Sequence, residues 1–267
     1  MRAVFIGGGN MGEAMVSAVI SNNIISASDI TVCDISETRR RYLNERYGVT
    51  VAGEALQPAC ESEVLVLAVK PQQISEAMND LSGRLKEPQL VISIAAGITI
   101  DTLCQGLGYN RIVRAMPNTP AQVGAGISVW TATSEVSEEE KARAGSILGA
   151  MGRQIYVGDE RYLDMATAVS GSGPAYVFLF VEALTAAAID LGLPVKMAEE
   201  LAMETVLGSA RYMLMSDRSP VELRRMVTSP GGTTAAALDC LGKGGFVALI
   251  KQAVRAACDR AKELGNR

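Results

Sequence analysis

Two short stretches carry residue types and spacings that could do chemistry. Near the N-terminus, residues 5–12 read FIGGGNMG. Gly7, Gly9 and Gly12 fit the pattern G-x-G-x-x-G, with Asn10 and Met11 between the last two glycines. In that pattern the first glycine allows a tight turn and the second lets a pyrophosphate approach the backbone. The third lets a helix pack closely on a strand, with the helix N-terminus facing the phosphates. The string is weak alone, but strong where it joins an apolar strand to a helix, as it does here. Near the other end, Ser229, Pro230, Gly231, Gly232, Thr233 and Thr234 run into an alanine-rich helical stretch. Hydroxyls and approachable backbone N–H groups at a helix start suit an anion. Taken alone, the string fits a plain helix start capped by Ser or Thr equally well.

The first cradle implies further cofactor contacts. Asp34 ends the second apolar strand, about 20 residues past the loop, where a carboxylate can accept from a ribose 2′-hydroxyl. That favours NADH, because a carboxylate repels a 2′-phosphate. Arg39, Arg40 and Arg41 follow on the next helix, and either reach that phosphate or line a solvated face. Later apolar strands end in Ala68-Val69-Lys70-Pro71, in Ser93–Gly97 with Ala95 central, and in Arg114–Pro120. Ligands of open α/β sheets lie at the carboxyl ends of strands. These turns are therefore where adenosine, ribose and nicotinamide are expected. Pro117 stiffens the last turn, and Asn118 offers an amide to a sugar hydroxyl or a carboxamide.

Composition excludes other chemistries. The chain has 267 residues and no histidine, so imidazole triads, imidazole acids and His–metal sites are absent. Redox chemistry on a cofactor does not need one. The five cysteines occur singly, form no C-x-x-C pair and suggest neither a metal site nor a disulfide framework. A reducing cytoplasm fits that usage. The net charge is -4 with no long basic run, so nucleic acid is not an expected partner. The first residues lack a signal-peptide pattern, and no uncharged apolar run is long enough to span a bilayer, so no membrane partner is expected.

The elements that must position these residues fall into two halves. The first alternates apolar strands and helices. Strands are expected over 2–6, 30–33, 64–69, 90–94, 111–115, 126–131 and 154–157. Helices are expected over 10–21, 36–46 and 137–151, the last opened by a Ser137–Glu140 capping box. That alternation predicts a doubly wound, mostly parallel sheet of Rossmann type. From residue 161 the chain turns Ala- and Leu-rich, with helices over 176–191, 197–215 and 246–262. We read 1–160 as an NAD(P)-binding domain and 161–267 as an all-α domain. A helical domain of only ~100 residues has a thin core, so its apolar faces need the first domain or another subunit.

The strings FIGGGNMG, LAVKPQ, SIAAGI, RAMPNTP, AVSGSGPAY and VTSPGGTT occur in that order. Together they resemble the pyrroline-5-carboxylate reductases over essentially the whole chain, SGSGPAY followed by SPGGTT being the most specific pair. The resemblance implies reduction of the cyclic imine 1-pyrroline-5-carboxylate to L-proline by NADPH or NADH, the last step of proline biosynthesis. It implies a C-terminal domain that forms a homodimer through interlocking helices and can assemble into larger homo-oligomers. It implies that the second cradle, Ser229, Gly231, Gly232, Thr233 and Thr234, holds the substrate carboxylate. Thr234 then lies near the imine nitrogen as the catalytic hydroxyl, and SGSGPAY faces the nicotinamide end. Members that prefer NADPH often carry Ser, Asn or Arg near the end of the second strand, where this chain has Asp34. A β-hydroxyacid dehydrogenase shares the domain plan but needs a Lys acid/base that the second half does not obviously supply. A nucleotide-sensing protein with a degenerate site is opposed by the intact second cradle.

Overall fold

The structure, a computed structural model, describes residues 1–265. Two compact units divide it. The first comprises Met1–Ser172 and the chain from Ala257 onward, and the second comprises Gly173–Ala256.

In the first unit eight strands form one sheet in the order β3-β2-β1-β4-β5-β6-β7-β8. Its first half is β1 (Ala3–Ile6), α1 (Asn10–Ser21), β2 (Ile30–Cys33), α2 (Glu37–Tyr47), β3 (Thr50–Ala52), α3 (Leu56–Cys60) and β4 (Val64–Leu67). Then come α4 (Ile74–Leu81), β5 (Leu90–Ser93), α5 (Ile100–Leu107), β6 (Ile112–Met116), β7 (Gly126–Ala132), α6 (Glu138–Gly149), β8 (Gly152–Tyr156) and α7 (Arg161–Ala166). Every pairing is parallel except β6 with β7. The strands β1, β4 and β5 are buried along their length because both faces are covered, and all their residues but Ser93 at the end of β5 are apolar. One face packs Phe5, Val66 and Ile92 against Met15, Val16 and Val19 of α1. The other packs Val4, Leu65 and Val91 with Ile74, Met78 and Leu103. The strand order reverses at β1 and β4, so the carboxyl ends of these two strands form the crevice where open α/β sheets bind ligands. The short β3 and α3, and the helices α4 and α5, are additions to the sequence expectation. β3 and α3 hold too few apolar positions to show a period, whereas Ile74, Met78 and Leu81 of α4 and Ile100, Leu103 and Leu107 of α5 are spaced as one helix face and are legible in the sequence.

In the second unit, α8 (Gly173–Asp190), α9 (Val195–Met215), α10 (Pro220–Met226), α11 (Thr233–Lys243) and α12 (Phe246–Gly265, through Ala256) follow one another. Among its described residues only Ala198, Ala202 and Leu223 are buried. Phe178, Leu179, Met203, Leu214, Val247 and Leu249 are all exposed by more than half. The helical run Arg161–Asp190 is long and apolar enough to cross a membrane by length and composition. The last turns of α12 belong to the first unit, where Leu264 and Gly265 press on the loop at Gly97.

Candidate active site

The first glycine loop joins β1 to α1. Gly7 has φ +100°, and a Cβ there would lie 2.7 Å from the Ala68 carbonyl oxygen, so no other residue fits. A Cβ on Gly12 would lie 2.2 Å from the Gly7 carbonyl oxygen. On Gly9 it would meet nothing within 4 Å, which leaves the backbone open to a ligand. Gly9 is also the N-cap of α1, and no side chain caps that helix. By contrast, α2, α5, α6 and α10 are capped by Ser36, Thr99, Ser137 and Ser219. The N-terminal N–H groups around Asn10, Met11 and Gly12 are thus left to an external acceptor, and an anionic pyrophosphate fits there.

Asp34 and the arginines occupy different positions from one another. Asp34 Oδ2 accepts from the Gly8 N–H at 2.8 Å, and Oδ1 accepts from the Ser36 N–H at 2.9 Å. Arg39 donates from Nε to the Gly8 carbonyl and from Nη2 to Glu13. Arg40 Nη1 donates to the Asp34 carbonyl at 2.7 Å and the Ile35 carbonyl at 3.1 Å. Arg41 pairs with Glu37 on an exposed helix face. Glu13 also accepts from the hydroxyls of Tyr42 at 3.0 Å and Tyr47 at 2.8 Å. Burial opposes its charge, yet the hydrogen bonds from Arg39, Tyr47 and Tyr42 hold its carboxyl below the usual range. Sequence reasoning treated the three arginines alike and passed over Glu13. The available signal was an acidic residue in the first turn of α1 facing a basic one in the first turn of α2.

The other turns lie at strand carboxyl ends. Ala68 continues β4 and donates to the Ile6 carbonyl at 2.8 Å, which draws it against Gly7. Val69 and Lys70 follow, and Pro71 opens a single 3-10 turn before α4. Ala95 is buried beyond β5, and Gly97 has φ +76°. Pro117 and Asn118 are buried beyond β6. Asn118 Oδ1 accepts from the Ile127 N–H at 2.9 Å, which fixes the amide and leaves its N–H groups for a ligand. Arg114 is 3% exposed, and its guanidinium donates to Glu160 at 2.6 Å and Asp164 at 3.0 Å, which fixes the start of α7 to β6. The SGSG run widens the helix after α7. At Thr167–Gly171 it is a π turn, closed by Ser172 N–H on the Thr167 carbonyl at 2.7 Å. Such turns recur at functional sites.

The second cradle joins α10 to α11 in the second unit. Gly231 has φ +70°, and a Cβ on Gly232 would lie 2.5 Å from Ser229 Oγ. Gly232 donates to the Ser229 carbonyl at 3.1 Å, which closes the turn over Pro230. Gly232, not a Ser or Thr, is the N-cap of α11, and no side chain caps the helix. Its extended backbone, φ −81° and ψ 173°, resembles that of Gly9 before α1, φ −66° and ψ −173°. Thr233 and Thr234 are the first two helical residues, Thr234 half-buried. The two helix starts share a glycine N-cap and the lack of a side-chain cap.

Comparison with known proteins gives one family-profile match in each half of the chain. A family profile described as pyrroline-5-carboxylate reductase dimerisation matches residues 160–264. One described as NADP oxidoreductase coenzyme F420-dependent matches residues 2–97. The chain is 42% identical to a pyrroline-5-carboxylate reductase of Synechocystis sp., covering 98% of this chain and 97% of that one. It is 39% identical to the enzyme of Arabidopsis thaliana, covering 98% and 95%. A solved Coxiella burnetii pyrroline-5-carboxylate reductase superposes with TM-score 0.90 at 43% identity, covering 98% of each chain. A Plasmodium falciparum pyrroline carboxylate reductase with NADP bound superposes with TM-score 0.91 at 31% identity, covering 99% of this chain and 98% of that one.

Proposed function

This chain belongs to the pyrroline-5-carboxylate reductase family, and from that premise we propose how its residues share out the reaction. The reaction is the reduction of 1-pyrroline-5-carboxylate to L-proline with NADPH or NADH. The proposed cofactor contacts are Gly7, Gly9, Asn10, Met11 and Gly12 at the pyrophosphate, and Asp34, at the end of β2, is the acidic group of the same cofactor-binding site. Ala68, Val69, Lys70, Pro71, Ala95, Pro117 and Asn118 line the carboxyl ends of β4, β5 and β6. The proposed substrate contacts are Ser229, Gly231, Gly232, Thr233 and Thr234. The observation that carries this division is the uncapped, glycine-led helix start repeated at α1 and α11. Functionally we place the division at 160/161, the cofactor part before it and the dimerisation and substrate part after it.

The chemistry needs little from the protein. When bound, the dihydronicotinamide supplies a hydride to the imine carbon, and the imine nitrogen takes up a proton. A cyclic imine draws that proton from water, which suits a chain without histidine. The first turn of α11 holds the carboxylate and so orients the ring. The Thr234 hydroxyl donates toward the ring nitrogen and polarises the C=N bond. Orientation of this kind supplies much of the rate. We further propose a homodimer that can assemble into larger rings, working in the cytoplasm. Support comes from the exposed apolar helices of Gly173–Ala256 and the matched dimerisation profile.

The test is Thr234→Ala. It should leave NADH and NADPH binding within about twofold and lower kcat/KM for the imine roughly 10–100-fold, the range for a hydrogen bond made in the transition state. Oxidation of NADH or NADPH with the imine, compared with 2-oxo and 3-oxo acids, checks the substrate class. Loss of cofactor affinity with normal imine kinetics would overturn the assignment of the second cradle.

A further inference from the structure

The peptide of Gly8 is gripped from both sides. Asp34 Oδ2 takes its N–H at 2.8 Å, and Arg39 Nε donates to its carbonyl. Gly8 itself is buried, and a Cβ on it would lie 2.6 Å from Leu43 Cδ1 of α2 and 3.2 Å from Val32 Cγ1. The two gripping groups are themselves held. Asp34 Oδ1 is anchored by the Ser36 N–H, and Arg39 by Glu13, whose other oxygen receives both tyrosine hydroxyls of α2. Gly8 lies between Gly7 and Gly9, so its orientation sets where the open backbone of Gly9 and the N-terminus of α1 point. Charge-assisted hydrogen bonds of this kind are roughly twice as strong as neutral ones.

We propose that Arg39, held by Glu13, and Asp34 act together as a clamp that positions the Gly8 peptide, so that both cofactors depend on them equally. The inference rests on the reading of GGGNMG as the pyrophosphate cradle. Asp34 thereby acts on a part common to NADH and NADPH rather than on the ribose that distinguishes them. Arg39 is likewise committed inward and withdrawn from any 2′-phosphate.

Two measurements on the full-length enzyme test this. Calorimetric titration without substrate gives Kd for NADH and for NADPH. Amide exchange without cofactor follows the peptide containing Gly7–Met11, with the peptide of α6 as a reporter of global folding. Arg39→Met should weaken both cofactors about tenfold, the effect of losing hydrogen bonds from a charged donor. Their ratio should stay within about threefold of its starting value. Exchange over Gly7–Met11 should accelerate while α6 is unchanged. Asp34→Asn keeps one acceptor oxygen, so it should weaken both cofactors less than Asp34→Ala does. If Arg39→Met does not fold, Arg39→Lys, which reaches one partner at a time, should show the same pattern at reduced size. A shift in the NADPH to NADH ratio beyond about threefold in Arg39→Met or Asp34→Asn would overturn the clamp, as would unchanged loop exchange. If the unaltered enzyme bound neither cofactor, the cradle reading itself would fall with it.

Discussion

At the residue scale, the site depends on backbone geometry more than on reactive side chains. Gly7 has φ +100° with the Ala68 carbonyl 2.7 Å from where a Cβ would go. Gly7→Ala should therefore lower stability by on the order of 2–3 kcal/mol and remove cofactor binding, read by thermal melting with and without NADPH. Glu13 gives a pH dependence of known sign. Its folded carboxyl sits below the ordinary value because Arg39, Tyr47 and Tyr42 hydrogen-bond it against the cost of burial. The charged groups facing it are Arg39 and, at 4.0 Å, Arg46. Its contribution is complete above the unfolded carboxylate range, about pH 4.3, and is lost as pH falls through the lower folded value. Melting temperature should fall with acid more steeply in the unaltered protein than in Glu13→Gln, whose side chain does not titrate. Cys33, one residue before Asp34, is buried on β2, and burial pushes its thiol up to about 11. At pH 8 it should resist iodoacetamide while exposed Cys60 is alkylated, a contrast that mass spectrometry of the native protein reads directly.

At the element scale, helix starts differ in how they are closed. Four of them, α2, α5, α6 and α10, are closed by their own Ser or Thr side chains, while α3, α4, α7 and α9 have no side-chain cap and no glycine at the N-cap. The capping box of α6, in which Ser137 Oγ accepts from Glu140 N–H and Glu140 accepts from Ser137 N–H, is one such closure. Those assigned to ligands, α1 and α11, begin at glycine and are left open. The strand order places the first open start at the sheet's reversal point. The Arg114 cluster sets where α7 begins. Arg114→Leu would leave Glu160 and Asp164 facing one another without their cation. Glu160 and Asp164 are partly exposed and keep some solvation, so it should cost about 1–2 kcal/mol, measurable by urea unfolding.

At the scale of the whole molecule, the two units differ in how they are stabilised. The first has a two-sided sheet with a continuous apolar core on each face. The second buries almost nothing in one copy of the chain and exposes long apolar helices. An exposed apolar surface of that extent marks an interface. Sedimentation at micromolar concentration should therefore show no stable monomer. A folded monomer in dilute solution would count against the dimer.

The strand and helix pattern, the two glycine loops and the absence of histidine could be read from the chain alone. Apolar runs buried on both faces, a glycine that must adopt positive φ and a capping box are local signals, complete within a few residues. β2 and α1 come out with the expected bounds, and the box at Ser137 and Glu140 forms as read. The SPGGTT string left a capped start and an anion cradle equally open, and the fold puts Gly232 at the cap. What Asp34 and the three arginines do was beyond the sequence. Their separation from Gly8 is 26 residues for Asp34 and 31 for Arg39. Only the parallel pairing of β1 with β2 and the return of α2 bring them to one peptide. A charged side chain of several rotatable bonds has many partners within reach, and long-range packing selects among them. The sequence states which groups exist, and the tertiary structure decides which of them are already taken.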